Sequence, residues 1–396
     1  MEEKKLVPKK RFKGFEQHWG LYQFDTKFNV VSGNAFKLNE YISSGVPIIN
    51  GESIQNGFVK SNNIHYLPKN YLERFESIKL LKGDIVLGLN RPIINNKLKI
   101  SLVPYTLNES LLYQRAGKII NIKKIHQYFS YRLLEKHIYQ FVLKEAVGSD
   151  QPFISTNILK ETTIIIPTEE MEQQKIGEFF KVLDERIANQ ERKIVKVKAL
   201  KEAYLTEMFP QEGETVPKRR FKGFEGEWTR EVLGELAIIN TGNSDVKDAV
   251  ENGIYPFFIR SKNIAKSDTY TYEGEAILIP GEGKLGEVYH YYNGKFNYHQ
   301  RVYKISDFEN NVSGQFVYYS MMQNFKEHAL KETVKATVDS LRLPTITSFS
   351  VLLPNYKEQQ KIGVFFKNLD DQIHAEDAKL EKLKKMKEAY LEEMFV

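Results

Sequence analysis

Apolar positions recur at helical spacing along two long stretches of this chain. Alternate steps of four and three residues meet Ile176, Phe180, Leu183, Ile187, Gln190, Ile194, Val197, Lys201, Tyr204 and Met208, and again Ile362, Phe366, Leu369, Ile373, Glu376, Leu380, Leu383, Lys387, Tyr390 and Met394. Such stripes are heptad seams, and they predict helices over 172–209 and 358–396. At roughly 1.5 Å per residue each would be about 55–60 Å long, longer than a small domain is wide. Each stripe has only one related stripe to bury against, so the two are expected to pair as a coiled coil. The intervening residues leave the end of one helix and rejoin the start of the other, which suits an antiparallel pair. The polar breaks share rungs, Gln190 with Glu376 and Lys201 with Lys387. Two readings stay open for them: they set the register of the pair, or they are polar side chains tolerated in the seam.

The stripes belong to a duplicated frame. VPKKRFKGFEQHW (Val7 to Trp19) returns as VPKRRFKGFEGEW (Val216 to Trp228), and the helix segment from Glu172 to Phe209 returns from Glu358 to Phe395. Between these copies the sequence diverges but its pattern does not. GVPIINGESI (Gly45 to Ile54) parallels GIYPFFIRSKNI (Gly253 to Ile264), KGDIVLGLNR (Lys82 to Arg91) parallels EGEAILIPGEGK (Glu273 to Lys284), and YQRAGKII (Tyr113 to Ile120) parallels HQRVYKI (His299 to Ile305). These read as strands. A helical stretch follows each set, Lys123 to Val147 and Ser313 to Val334, and then a short apolar strand ending in proline, Thr162 to Pro167 and Phe349 to Pro354. The expected fold is therefore mixed α/β (α+β): two pseudo-symmetric globular domains separated by two long antiparallel coiled-coil helices. Its parts are an arm (1–19), a first domain (20–171), a first long helix (172–209), a linker and second arm (210–228), a second domain (229–357) and a second long helix (358–396).

Composition narrows the class. The chain has 396 residues, 41% hydrophobic and 27% charged, ample for more than one core. Its apolar runs are too short to cross a bilayer and its charged start lacks a signal core, which points to a cytoplasmic protein without membrane attachment. With no cysteine, disulfides and thiolate zinc sites are excluded. A net charge of +6, with 57 Lys and Arg beside 22 Tyr and 25 Phe, permits nucleic-acid binding without demanding it.

Catalytic and cofactor motifs are missing. Gly281-Glu282-Gly283-Lys284-Leu285-Gly286 satisfies G-x-G-x-x-G, but a strand-like sequence follows it where a dinucleotide site needs a helix. Glu282-Gly283-Lys284 has the form of a nuclease E-x-K, with Glu273 or Glu275 as the distant acid, yet no P-D element precedes it. The chain holds no Asn-Pro-Pro or Asp-Pro-Pro, no Walker A sequence and no metal-ligand spacing among its histidines.

With the duplicated VPK(K/R)RFKGF-x-x-x-W arm, the E-Q-Q-K-I-G-x-F-F-x-x-L-D helix opening and the K-E-A-Y-L-x-E-M-F closing, the whole chain resembles the specificity subunits of type I restriction-modification systems. The resemblance implies that the domains are target recognition domains, each reading half of an interrupted, asymmetric site in double-stranded DNA, with the helices as spacer. It implies two methylation subunits and ATP-driven restriction subunits as partners. S-adenosylmethionine, ATP and magnesium would belong to those partners, and this chain would be non-catalytic. A coiled-coil adaptor binding proteins through its globular ends is the alternative, and a nuclease around Glu282 the third reading.

Arg and Gln suit bidentate contacts to guanine and adenine, while Lys mostly holds phosphate. The candidate DNA-binding residues at turns are Asn90, Arg91, Gln114 and Arg115 in the first half, and Arg260, Lys262, Asn263, Lys284, His299, Gln300, Arg301, Lys335 and Arg342 in the second. The matched Gln-Arg pairs have a rival reading as parts of the shared domain structure. The basic arms, Lys9 to Arg11 and Lys218 to Arg220, either touch phosphate or pack onto the helix ends through Phe12, Phe15, Trp19, Phe221, Phe224 and Trp228; packing is the preferred expectation.

Overall fold

The computed structural model describes residues 6–145, 152–282, 286–333 and 340–396. The chain forms two compact units, Met1–Gln190 with Lys379–Val396, and Glu191–Ala378. The boundaries cut both long helices, Glu170–Met208 and Tyr356–Met394, because each half-helix packs on the domain at its own end. Each unit therefore holds the start of one long helix beside the end of the other.

In the first unit an antiparallel sheet runs in the order Phe28–Ser32, Ala116–Asn121, Ile85–Gly88, Ile100–Leu102. Its strand Ile85–Gly88 is buried throughout, which explains an apolar run without alternation. Ile85 and Leu87 face the domain helix Gln127–Glu145, while Val86 faces a smaller sheet that includes Val46–Ile49 and Ser110–Leu112. The second unit follows the same plan with the two sheets joined into one of six strands. Strands Ile238–Thr241, Val302–Ser306, Tyr272–Pro280, His290–Tyr298, Tyr255–Phe258 and Ile264–Ser267 form one sheet in that order. There Ile277 and Ile279 face the helix Gly314–Thr333, and Ala276 and Leu278 face the opposite cluster. A parallel pairing marks the same place in both units, Leu111 with Ile48 and Phe257 with Asn297. The domain helices start a little later than the pattern predicted, and their expected ends at Val147 and Val334 lie outside the described residues.

The duplicated motifs are the joints of each unit. The strand after each arm pairs with the strand before each long helix, Gly20–Gln23 with Thr163–Ile166 and Thr229–Val232 with Ser350–Leu353. Arg11 then forks onto the buried Glu172 carboxylate at 2.6 and 2.7 Å, and Arg220 onto Glu358 at 2.7 Å through both nitrogens. Both carboxylates are shut off from water, so the pairs have the bidentate, desolvated geometry that makes such contacts costly to break. Gln173 and Gln359 donate to the carbonyls of Pro167 and Pro354 at 3.0 and 2.9 Å, closing the turn into each helix. Gly177 lets its helix pass the domain closely: a Cβ there would meet His126 Nδ1 at 2.1 Å and the Phe129 amide nitrogen at 2.9 Å. Phe180 lies against Phe395, and Phe366 against Phe209, so each closing Met-Phe finishes the core of the unit where the other helix begins. The arms thus pack onto the helix ends. Lys10 and Arg219 pair with Glu393 and Glu207 at the surface, all four side chains exposed.

The seam is as the heptad steps predict, with Ile176, Phe180, Leu183 and Ile194 buried in the first helix and Ile362, Phe366, Leu369, Ile373 and Leu380 in the second. Its lysines are paired. Lys201 meets Asp370 at 2.5 Å in the second unit, and Lys387 meets Asp184 at 2.8 Å in the first. Gln190 is buried, and Glu376 pairs with Lys193.

Candidate nucleic-acid interface

The Gln-Arg turns occupy the same scaffold position in both units. Gln114 N–H donates to the Asn34 carbonyl at 3.0 Å and Gln300 N–H to the Ser244 carbonyl at 2.9 Å. The Arg115 carbonyl accepts from Leu89 N–H, and the Arg301 carbonyl from Gly281 N–H, both at 2.9 Å. A close approach fixes each turn: a Cβ on Gly33 would fall 2.2 Å from the Tyr113 carbonyl oxygen, and on Gly242 1.9 Å from that of Tyr298. Arg115 holds φ at 65°, in the left-handed region that a non-glycine residue enters at a cost. The backbone of these pairs is shared domain structure, while the side chains of Gln114, Arg115, Gln300 and Arg301 are all exposed.

Around its turn the first unit has a groove of about 780 Å³, and Asn90, Arg91, Gln114 and Arg115 all line it. Arg91, at φ 45°, is fixed by its N–H to the Pro152 carbonyl at 2.9 Å. Asn50, Glu52, Gln55 and Lys60 add further polar groups to the wall, none of them singled out by the sequence patterns. Beneath them lies Lys99, 4% exposed, whose Nζ donates to the Gly51 carbonyl at 2.8 Å and the Asn90 carbonyl at 2.6 Å. Burial pushes its pKa down, Glu52 opposing and Arg91 adding to that shift. The signal for this strut was its place between the buried Leu98 and Ile100, where a strand alternation turns an intervening cation away from one core and under the loop.

In the second unit the same turn is differently dressed. Arg301 and Arg260 both bind the Glu282 carboxylate, Arg260 at 2.8 Å. Glu282 is held below its ordinary pKa by the Arg260 hydrogen bond first and by Arg301, against a desolvation penalty. Gln300 Nε2 donates to Asp245 at 3.0 Å. Lys262 and Asn263 are exposed on the neighbouring turn before strand Ile264–Ser267, and Arg342 is exposed at the start of the short helix Leu343–Thr347. The segment before that helix reaches the site, because Leu341 N–H donates to the Gly281 carbonyl at 2.8 Å.

His299 needs correction as a presented reading group. It is 2% exposed, and its Nδ1 accepts from Arg301 N–H at 3.0 Å, so it buttresses the turn from inside. Burial lowers its pKa, with Arg260 the next cause. Lys284 and Lys335 lie outside the described residues. The next regular element after the glycine-rich sequence is the strand His290–Tyr298, as its residue pattern predicts. Among the described residues no group of three or more His, Cys, Asp and Glu could hold a metal ion, and no helix is long and apolar enough to cross a membrane.

Two copies of one mixed α/β domain, each with exposed amide and guanidinium groups on a matching hydrogen-bonded turn, define a duplicated α/β protein. The model of the type I restriction modification DNA specificity domain matches residues 19–199 and 225–385, and the chain belongs to that family. It is 32% identical over 187 residues to the specificity subunit of the type I restriction enzyme MjaVIII from Methanocaldococcus jannaschii, a match covering 47% of this chain and 44% of the relative. The matched stretch thus spans less than half the length of that relative. In fold it is similar to the crystal structure of an S subunit of a type I restriction-modification system from M. genitalium, with TM-score 0.72, 17% identity and coverage of 98% of this chain and 99% of that one. A structure described for complex assembly and conformational transition of the type I system aligns with TM-score 0.54, 16% identity and coverage of 95% and 97%.

Proposed function

We propose that this chain is a non-catalytic reader of DNA sequence that directs methylation and restriction subunits to a two-part site. The observation that carries the reading is the doubled turn: one backbone scaffold, held by the same hydrogen bonds in both units, presents different polar groups around a constant Gln-Arg pair. A constant scaffold with variable exposed donors and acceptors is what reading two different half-sites requires, since base edges are told apart by donor and acceptor pattern. Divergent units give an asymmetric site. In this reading two methylation subunits carry S-adenosylmethionine, the restriction subunits carry ATP and magnesium, and the long helices set the gap between halves.

The test is modified-base sequencing of DNA from cells carrying this chain with its methylation subunit. The expected result is one interrupted, asymmetric methylated motif that disappears when the chain is deleted and changes in one half only when residues 20–171 are exchanged. A motif indifferent to deletion of the chain would refute the reading.

A further inference from the structure

Glu282 and Asn90 occupy matching positions. Each follows the residue whose N–H binds the turn carbonyl, Gly281 to Arg301 and Leu89 to Arg115, and each bridges to the strand segment before a short helix, Glu282 to Ser340 and Asn90 to Phe153. One unit therefore places a neutral amide where the other places a carboxylate. The carboxylate is half-exposed and engages two guanidiniums from different elements, Arg260 beside strand Tyr255–Phe258 and Arg301 on the Gln-Arg turn, each of them itself exposed. Two exposed arginines that are candidates to meet DNA thus share one carboxylate.

We infer that Glu282 is a specificity gate for a G·C base pair, an inference that rests on the DNA-reading function above. With its carboxylate in place, Arg260 and Arg301 are partly neutralised, and approach to a phosphate backbone costs the repulsion between phosphate and Glu282 as well as the loss of the ion pairs. A base edge changes that balance only if it serves both signs. Among the major-groove patterns, guanine O6 and N7 accept two hydrogen bonds from a guanidinium, and the cytosine N4 amino group donates to a carboxylate. An A·T pair also carries a donor, adenine N6, but its acceptors N7 and O4 flank that donor, so only a G·C pair offers Arg301 two adjacent acceptors beside a donor for Glu282. Two acceptors facing the carboxylate, or a phosphate alone, would leave it unsatisfied. The same position in the first unit, being Asn90, exerts no such charge exclusion.

The experiment uses the chain assembled with its methylation subunits, with duplex DNA lacking the methylated motif as the probe for non-specific binding. Glu282→Ala is expected to tighten that binding several-fold and to make the slope of log affinity against log salt more negative by about 0.9–1.8, one or two phosphates gained. In cells, the half of the motif assigned to the second unit should contain a G·C position that becomes degenerate in Glu282→Ala, with the first half unchanged. Glu282→Gln, which keeps the side-chain shape, should give the same salt effect and shift that position toward A·T, since a Gln amide suits adenine. An unchanged salt slope, or an unaltered second half, overturns the inference. Absence of any motif dependent on the wild-type chain would instead overturn the DNA-reading function itself.

Discussion

His137 shows how a single side chain ties the stability of the first unit to pH. It is stacked on Phe24, with ring centroids 5.9 Å apart, and its Nε2 lies 3.0 Å from Thr162 Oγ1. That hydroxyl already donates to the Leu159 carbonyl at 2.8 Å, so it accepts from a neutral imidazole carrying its proton on Nε2. Burial lowers the His137 pKa to about 4, with Lys144 adding to the shift. The unfolded chain takes up a proton near the ordinary value of about 6.5, which the folded unit refuses until about 4, so stability is full above that window and falls as the pH drops through it. The expected loss is about 3 kcal/mol between pH 6.5 and pH 4. Denaturant unfolding across this range should show the loss in the wild type and a flatter profile in His137→Gln, whose amide replaces Nε2 without titrating; parallel profiles would refute it.

Among the elements, the long helices carry the sharpest difference between two sites that the sequence writes alike. Lys201 and Lys387 repeat, as do Asp370 and Asp184, yet their surroundings have diverged. Asp370 has Lys201 and, at 2.8 Å, the Tyr319 hydroxyl. Asp184 has Lys387, Tyr128 and the buried Arg132, which also binds Glu135. Burial opposes ionisation of Asp184, but Arg132 and Lys387 outweigh it and hold the carboxyl below its ordinary value. Removing one member of a buried pair is costly because the other is left uncompensated. Lys201→Met should therefore weaken the second unit by about 1–2 kcal/mol more than Lys387→Met weakens the first, where Arg132 remains. Amide hydrogen exchange in Gly314–Thr333 and Gln127–Glu145 would measure the two units separately; equal losses would show that Arg132 does not take over. Not every part of this arrangement was legible in the sequence. The helices, the duplicated frame and the buried strands were legible because heptad and strand periods depend on local spacing alone. Asp184, Asp370, Lys99 and Glu282 were not read in their structural roles, because each acts through partners distant in sequence: Lys99 reaches Gly51, and Glu282 reaches Arg260. His299 misled for the same reason, since a histidine beside Gln-Arg looks presented until its burial is known.

For the whole molecule, the proposed role of the helices as a spacer makes a demand that the fold lets one alter cleanly. Both helices are unbroken over 39 residues, and the pairs Lys201–Asp370 and Lys387–Asp184 join them inside each unit. Seven residues added to both helices between those pairs preserve the seam, because a heptad returns each apolar residue to its own rung. Seven added to one alone would put the locks out of step. At roughly 1.5 Å per residue the double insertion lengthens the spacer by about 10 Å, which equals about three base pairs at roughly 3.4 Å each. Three base pairs also turn a half-site by about 100° around the duplex, given roughly 10–10.5 base pairs per turn, so length and angle compete. The expected outcome is a methylated motif with both halves unchanged and its gap longer by a whole number of base pairs, one to about three. Modified-base sequencing reads this directly. A motif with its original gap would mean that the helices join the two readers without measuring between them.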